Sequence, residues 1–108
     1  MSGSFEIREY VENGRSPYAD WFDGLDNVTA DRVDKYVQRM DRGNFGAAKA
    51  LQDGVFELRM DFGPGYRVYF GREGRTLIIL LGGGSKRRQG ADIAAAVGRW
   101  RHYKEARK

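Results

Sequence analysis

The chain has 108 residues, no cysteine, one histidine and a net charge of +4. That length supports one modest core and one domain over residues 1–108. The missing cysteine excludes disulfides and thiolate metal sites, and His102 alone is too little for a usual catalytic zinc or iron centre, so no metal or cofactor is expected.

A hydrophobic content of 41% predicts a folded domain rather than a disordered chain. The longest aliphatic run, Leu77 to Leu81, is too short to cross a membrane. The first residues, Met1-Ser2-Gly3-Ser4, carry neither the basic nor the apolar part of a signal peptide. Both features point to a cytoplasmic protein with no membrane partner. Charge is unevenly spread: residues 1 to 53 sum to −3 and residues 54 to 108 to +7. A basic C-terminal half suggests a polyanionic partner, nucleic acid first, although solvated surface arginine gives the same count.

Phe5 to Val11 alternates apolar and polar residues and reads as a strand, ended by Asn13-Gly14. Ser16-Pro17 is a helix start, with Ser16 as N-cap and Pro17 at the first helical position. Tyr18, Trp21, Phe22 and Leu25 follow at helical spacing. Thr29 is the expected cap of a second helix, whose stripe is Val33, Tyr36, Val37 and Met40. Gly43 suits its C-terminal end. The two helices form an antiparallel hairpin, and residues 43 to 54 read as a loop.

Three strands are predicted next: Val55 to Met60, Tyr66 to Phe70 and Thr76 to Leu81. The short turns Gly63-Pro64-Gly65 and Gly71-Arg72-Glu73-Gly74 make them an antiparallel meander. The third is apolar throughout, so it is expected to be central and covered on both faces. Gly82-Gly83-Gly84 breaks the strand pattern. Ala91, Ile93, Ala94, Val97, Trp100 and Tyr103 mark a C-terminal helix. The order is β-α-α-β-β-β-α, an α+β domain with the helices on one face of an antiparallel sheet.

Alternation along strands assigns faces. Phe56, Leu58 and Met60 share one face with Tyr66, Val68 and Phe70; Glu57, Arg59, Arg67 and Tyr69 share the other. If the apolar set packs under the helices, the arginines lie on an open face, with Arg59 facing Arg67. Two such arginines repel unless an anion lies between them. Asp61 and Glu57 could supply it; so could a bound phosphate, with Tyr69 as a stacking surface for a base. Lys86, Arg87, Arg88 and Gln89 leave the central strand and can swing toward that face. The glycines before them lack the spacing of a P-loop or a dinucleotide fingerprint. His102 has the pKa of a general acid but no evident partner, and reads equally as a surface residue.

The run GVFELRMDFGPGYRVYFGREG, followed by a Leu/Ile strand and then by GGxxK and QxxDI, resembles the RelE/ParE superfamily of bacterial type II toxins. Within it, the HigB-like "addiction module killer protein" branch, related to phage Gp49-like proteins, is the most similar. The resemblance also takes in SPYADWFDGL and GNFG, and so nearly the whole chain. It implies a RelE-like fold and a toxin held inactive by a cognate antitoxin, a helix-turn-helix protein that would bind operator DNA with the toxin attached. The implied activity is cleavage of mRNA on the ribosome by attack of the RNA 2′-hydroxyl on the adjacent phosphate, without a metal.

Carried over residue by residue, the implied phosphate-stabilising groups are Arg67, Arg59 and Lys86. The implied RNA contacts are Arg87, Arg88 and Gln89, to which the strand-face reading adds Tyr69 and the basic loop residue Lys49. The lysine that RelE proper carries near Glu57 and its C-terminal tyrosine near Ile93 are both missing, and Lys49 is the loop position nearest to where some relatives carry a glutamate base. General acid and base are therefore open, with Glu57, Asp92 and His102 as candidates. Two other functions remain compatible with these residues: inhibition of DNA gyrase, as by ParE-like members, and a non-enzymatic module that binds nucleic acid or protein.

Overall fold

Ser16 accepts a hydrogen bond from the Ala19 N–H (3.0 Å) and Pro17 follows it, so helix α1 (Pro17–Asp23) starts where the sequence places it. Helix α2 (Asn27–Arg39) is capped by Asp26 rather than Thr29: the Asp26 carboxylate accepts from both the N–H (3.1 Å) and the hydroxyl of Thr29 (2.6 Å). The carboxylate suits the positive helix end better than a hydroxyl does. Thr29 is thus the capped residue, one turn inside the helix. A 3₁₀ turn, Met40–Arg42, extends α2 and closes on Gly43 in the left-handed region (φ 83°). The computed structural model describes residues 4–107; the expectation about the leader rests largely on Met1 to Gly3, which lie outside these.

The five strands are β1 (Glu6–Glu9), β2 (Ala48–Ala50), β3 (Val55–Arg59), β4 (Arg67–Glu73) and β5 (Leu77–Gly84), and helix α3 spans Gln89–Ala106. They form one sheet in the order β1-β5-β4-β3-β2. The meander β3-β4-β5 is antiparallel as expected. The sheet as a whole is mixed, because β1 runs parallel to β5. Hairpin logic fixes direction only between strands joined by a short turn; β1 reaches β5 from the far end of the sequence. Part of the expected 43–54 loop is β2, an edge strand on β3.

The glycines after Leu81 do not end β5. Gly82, Gly83 and Gly84 pair with Tyr69, Val68 and Arg67, and a register shift between Tyr69 and Phe70 leaves Leu81 as the extra residue. Glycine is required here by close approach: a Cβ on Gly83 would meet the Trp21 ring, and one on Gly84 the Asp92 carboxylate.

Helices cover both faces of the sheet, contrary to the one-face expectation. Leu58, Val68, Phe70, Ile78 and Leu80 pack with Tyr18, Val33, Val37 and Met40 from the α1–α2 side. Val55, Tyr69, Ile79 and Leu81 pack with Ala96, Val97 and Trp100 of α3. Each such aliphatic side chain contributes about 1.5–3 kcal/mol when fully buried, so a central strand that is apolar on both sides needs cover on both. β5 meets that expectation, lying between β1 and β4 with Ile78 to Leu81 buried.

Candidate functional site

The register lays two rows of side chains across the sheet. Lys49, Glu57 and Tyr69 form one row and Arg59 and Arg67 the next. As strand alternation predicts, Glu57, Arg67 and Tyr69 share a face. That face is not open, because α3 lies against it. Glu57 and Arg67 are 1% and 6% exposed, which makes them the buried charges among the described residues.

Glu57 is the hub. Its Oε2 accepts a hydrogen bond from Gln89 Nε2 (2.8 Å) and lies 3.4 Å from Arg67 Nε. Its Oε1 is 3.9 Å from Lys49 Nζ. The Arg67 Nε contact is an ion pair rather than a hydrogen bond, since Nε has no partner of good geometry. Arg67 Nη1 donates to the Gly65 carbonyl (2.6 Å). The Gly63-Pro64-Gly65 turn therefore does more than reverse the chain: it ties down the guanidinium that follows it. Through Oε2 Glu57 aims Gln89 and Arg67, while Oε1 has only the loose Lys49 contact.

Tyr69 is fully buried and offers no ring face for stacking, so the expected base contact is corrected. The reason is the cover that α3 provides. Its hydroxyl makes no good hydrogen bond, and burial, then the nearby Glu57 charge, pushes its pKa well above the ordinary tyrosine range.

Arg59, Arg67 and Lys86 line one groove of about 440 Å³ together with Asp61 and the Phe62-Gly63 and Gly65 backbone. Arg59 is the accessible member of its pair, its side chain 56% exposed, with Asp61 3.9 Å away as a loose partner. A neighbouring groove of about 240 Å³ is lined by Lys49, Glu57 and Arg59. Lys86, Arg87 and Arg88 form an exposed 3₁₀ turn ahead of α3, seated by the Lys86 N–H on the Pro64 carbonyl (3.3 Å). The structure thus brings together Arg59, Arg67, Lys86, Lys49, Glu57 and Gln89, which the sequence places on separate elements.

Asp92 lies in a larger cleft of about 540 Å³ beside the Trp21 and Tyr66 rings, Gly83, Gly84 and Arg88. Burial raises its pKa, opposed by Arg88 and Arg99. His102 does not join either site. It lies thirteen residues beyond Gln89 on α3, about 20 Å along the axis, and its Nδ1 is bonded to the Tyr10 hydroxyl (2.6 Å). That contact is structural and removes His102 from the acid candidates at this site.

The anions expected beside the two arginines are there, Glu57 at Arg67 and Asp61 at Arg59. Of the features not read from the sequence, the Gln89 and Lys49 contacts of Glu57 had a partial signal, since strand alternation places Glu57 on the face toward which Gln89 can swing. The Trp21–Gly83 contact that walls the larger cleft had none, because α1 and β5 meet only in the folded chain.

The molecule is thus a mixed sheet between two helical layers, with a cationic groove at the β3–β4 end. The chain belongs to one family with a protein of Haemophilus influenzae that bears the description "uncharacterized protein"; the two are 44% identical over 77 residues, 70% of this chain and 78% of the relative. No family model and no solved structure matches the chain.

Proposed function

We propose that this chain is the toxin of a type II toxin–antitoxin pair and cleaves mRNA on the ribosome, in the manner of the RelE/ParE proteins it resembles. The observation that carries the reading is that Arg59, Arg67 and Lys86, three cations from three segments, line one groove. Three converging cations suit a phosphate whose charge grows in the transition state, and Arg87 and Arg88 extend the positive surface along a strand of RNA.

In this reading Arg67 supplies a fixed charge at the floor of the groove, held by Glu57 and the Gly65 carbonyl. Arg59 and Lys86 approach the phosphate oxygens from solvent. The RNA 2′-oxygen bonds to phosphorus and the bond from phosphorus to the 5′-oxygen breaks. The 2′-hydroxyl loses one proton and the 5′-oxygen gains one, leaving a 2′,3′-cyclic phosphate and a 5′-hydroxyl. This places the protein in the cytoplasm, where an antitoxin partner would have to cover or distort the groove.

The test is primer extension on mRNA from cells in which the chain is briefly induced without an antitoxin. Arg59→Ala and Lys86→Ala serve as comparison variants, because both side chains are exposed and their loss leaves the core intact. Cuts confined to translated messages and lost in both variants are the expected result. Intact messages with arrested growth would replace this reading with gyrase inhibition, and intact messages with normal growth would replace it with a binding module.

A further inference from the structure

A further groove, of about 340 Å³, opens between β1 and helices α1 and α2. It lies on the α1 and α2 side of the sheet, whereas the Arg67 side chain lies on the α3 side. Its walls are apolar: Phe5 and Ile7 from β1 and the residue before it, Val37 from α2 and Leu80 from β5. Its polar groups are Glu9, Asp34, Asp41, Gln38 and the Tyr18 hydroxyl. No lysine or arginine lines it, so three carboxylates share a groove with no cation.

Gln38 Nε2 donates to Asp34 Oδ1 (3.5 Å), and two further observations show that part of the remaining polarity is unspent. Tyr18 is 6% exposed and lines the groove, and no side chain or backbone group among the described residues hydrogen-bonds its hydroxyl. Asp41 Oδ1 is shielded from solvent and also lacks a hydrogen-bond partner. Buried polar atoms are nearly always satisfied, so the orphaned Asp41 Oδ1 at the wall of an acidic groove calls for a donor from outside. The Tyr18 pKa is raised by burial and then by the Asp34 and Glu9 charges, which places its hydroxyl within their field.

We propose that this groove is a docking pocket for a lysine or arginine side chain carried by a protein partner. The match is chemical. A long apolar stem fits between Phe5, Ile7, Val37 and Leu80, and the cationic head then lies in the field of the Glu9, Asp34 and Asp41 carboxylates and pairs with one or two of them. A bare divalent ion fits less well, because no three metal-binding side chains converge among the described residues. β1 ends the sheet at this edge, which leaves room for a partner backbone to run beside it. The proposal is independent of any catalytic reading, since none of the cations at the other groove takes part.

The test is an NMR titration of the full chain, following backbone amides, with acetylated and amidated pentapeptides AARAA, AAKAA and AAQAA, and with spermidine. Saturable shifts at Ile7, Tyr18, Val37 and Gln38 are expected with the arginine or lysine peptide, at millimolar affinity for so short a probe. AAQAA should bind at least tenfold more weakly. Asp34→Asn and Asp41→Asn should each weaken binding several-fold; Asp34 is at the surface, so its variant will fold even if that at Asp41 does not. Equal shifts from AAQAA, no loss in Asp34→Asn, or tighter binding of spermidine than of either cationic peptide would overturn the proposal, the last by making the groove a site for small polycations.

Discussion

Glu57 and Arg67 form a buried ion pair, Oε2 to Nε 3.4 Å, whose side chains are 2% and 7% exposed. Such a pair is weak evidence of net stabilisation, but breaking it leaves one buried charge alone. Glu57→Ala and Arg67→Ala are each expected to destabilise the fold by about 3–5 kcal/mol, enough to unfold a marginal domain. The double replacement Glu57→Leu with Arg67→Met should recover most of that loss. Urea denaturation of the three variants checks this. Inactivity of Arg67→Ala alone would therefore say nothing about chemistry.

Arg59 and Lys86 are the informative positions for the proposed RNA contact. Their exposed side chains can be removed with changes of about 0.5 kcal/mol or less in stability. Each loss of a phosphate contact should flatten the dependence of log K on log salt by about 0.7 for single-stranded RNA. Fluorescence anisotropy of a labelled oligonucleotide at several salt concentrations measures it. An unchanged slope in both variants would remove these residues from the interface.

Gly71 sits under the Trp100 indole, where a Cβ would collide with the ring. Gly71→Ala should cost about 1–3 kcal/mol by overpacking, and should shift tryptophan emission as the ring is displaced. Thermal and urea melts monitored by that emission report both effects. Gly74→Ala is a poor control, because Gly74 has a positive φ of 62° despite its open surroundings. Gly90→Ala, with nothing near and an ordinary helical setting, should be neutral or slightly stabilising.

Tyr69 predicts the alkaline limb of the stability curve. Burial holds its folded pKa above the ordinary value of 10.0. Above that pH the unfolded chain ionises first and binds fewer protons than the folded one, so stability falls as pH rises. The fall is at most about 1.4 kcal/mol per pH unit for one such group. Tyr69→Phe should be measurably less sensitive to pH above 10.0, by urea denaturation at stepped pH. Tyr18, raised in the same direction, accounts for part of what remains.

Local pattern carried much of this molecule. The Ser16 cap, the Val33–Val37–Met40 stripe, the β3-β4-β5 meander and the sharing of a face by Glu57, Arg67 and Tyr69 all follow from periods of 3.6 and 2 read along the chain, because the backbone imposes those periods whatever the rest of the fold does. Which face is covered follows from no such period. Only the packing of α3 against Tyr69, Ile79 and Leu81 turned an expected open face into a buried one. That packing withdrew Tyr69 from solvent and made Glu57 the holder of Arg67. The parallel pairing of β1, the Trp21 contact on Gly83 and the acidic groove beside Tyr18 depend likewise on elements far apart in sequence. Their meeting is settled by burying apolar surface across the whole domain, a sum to which no short window of residues gives access.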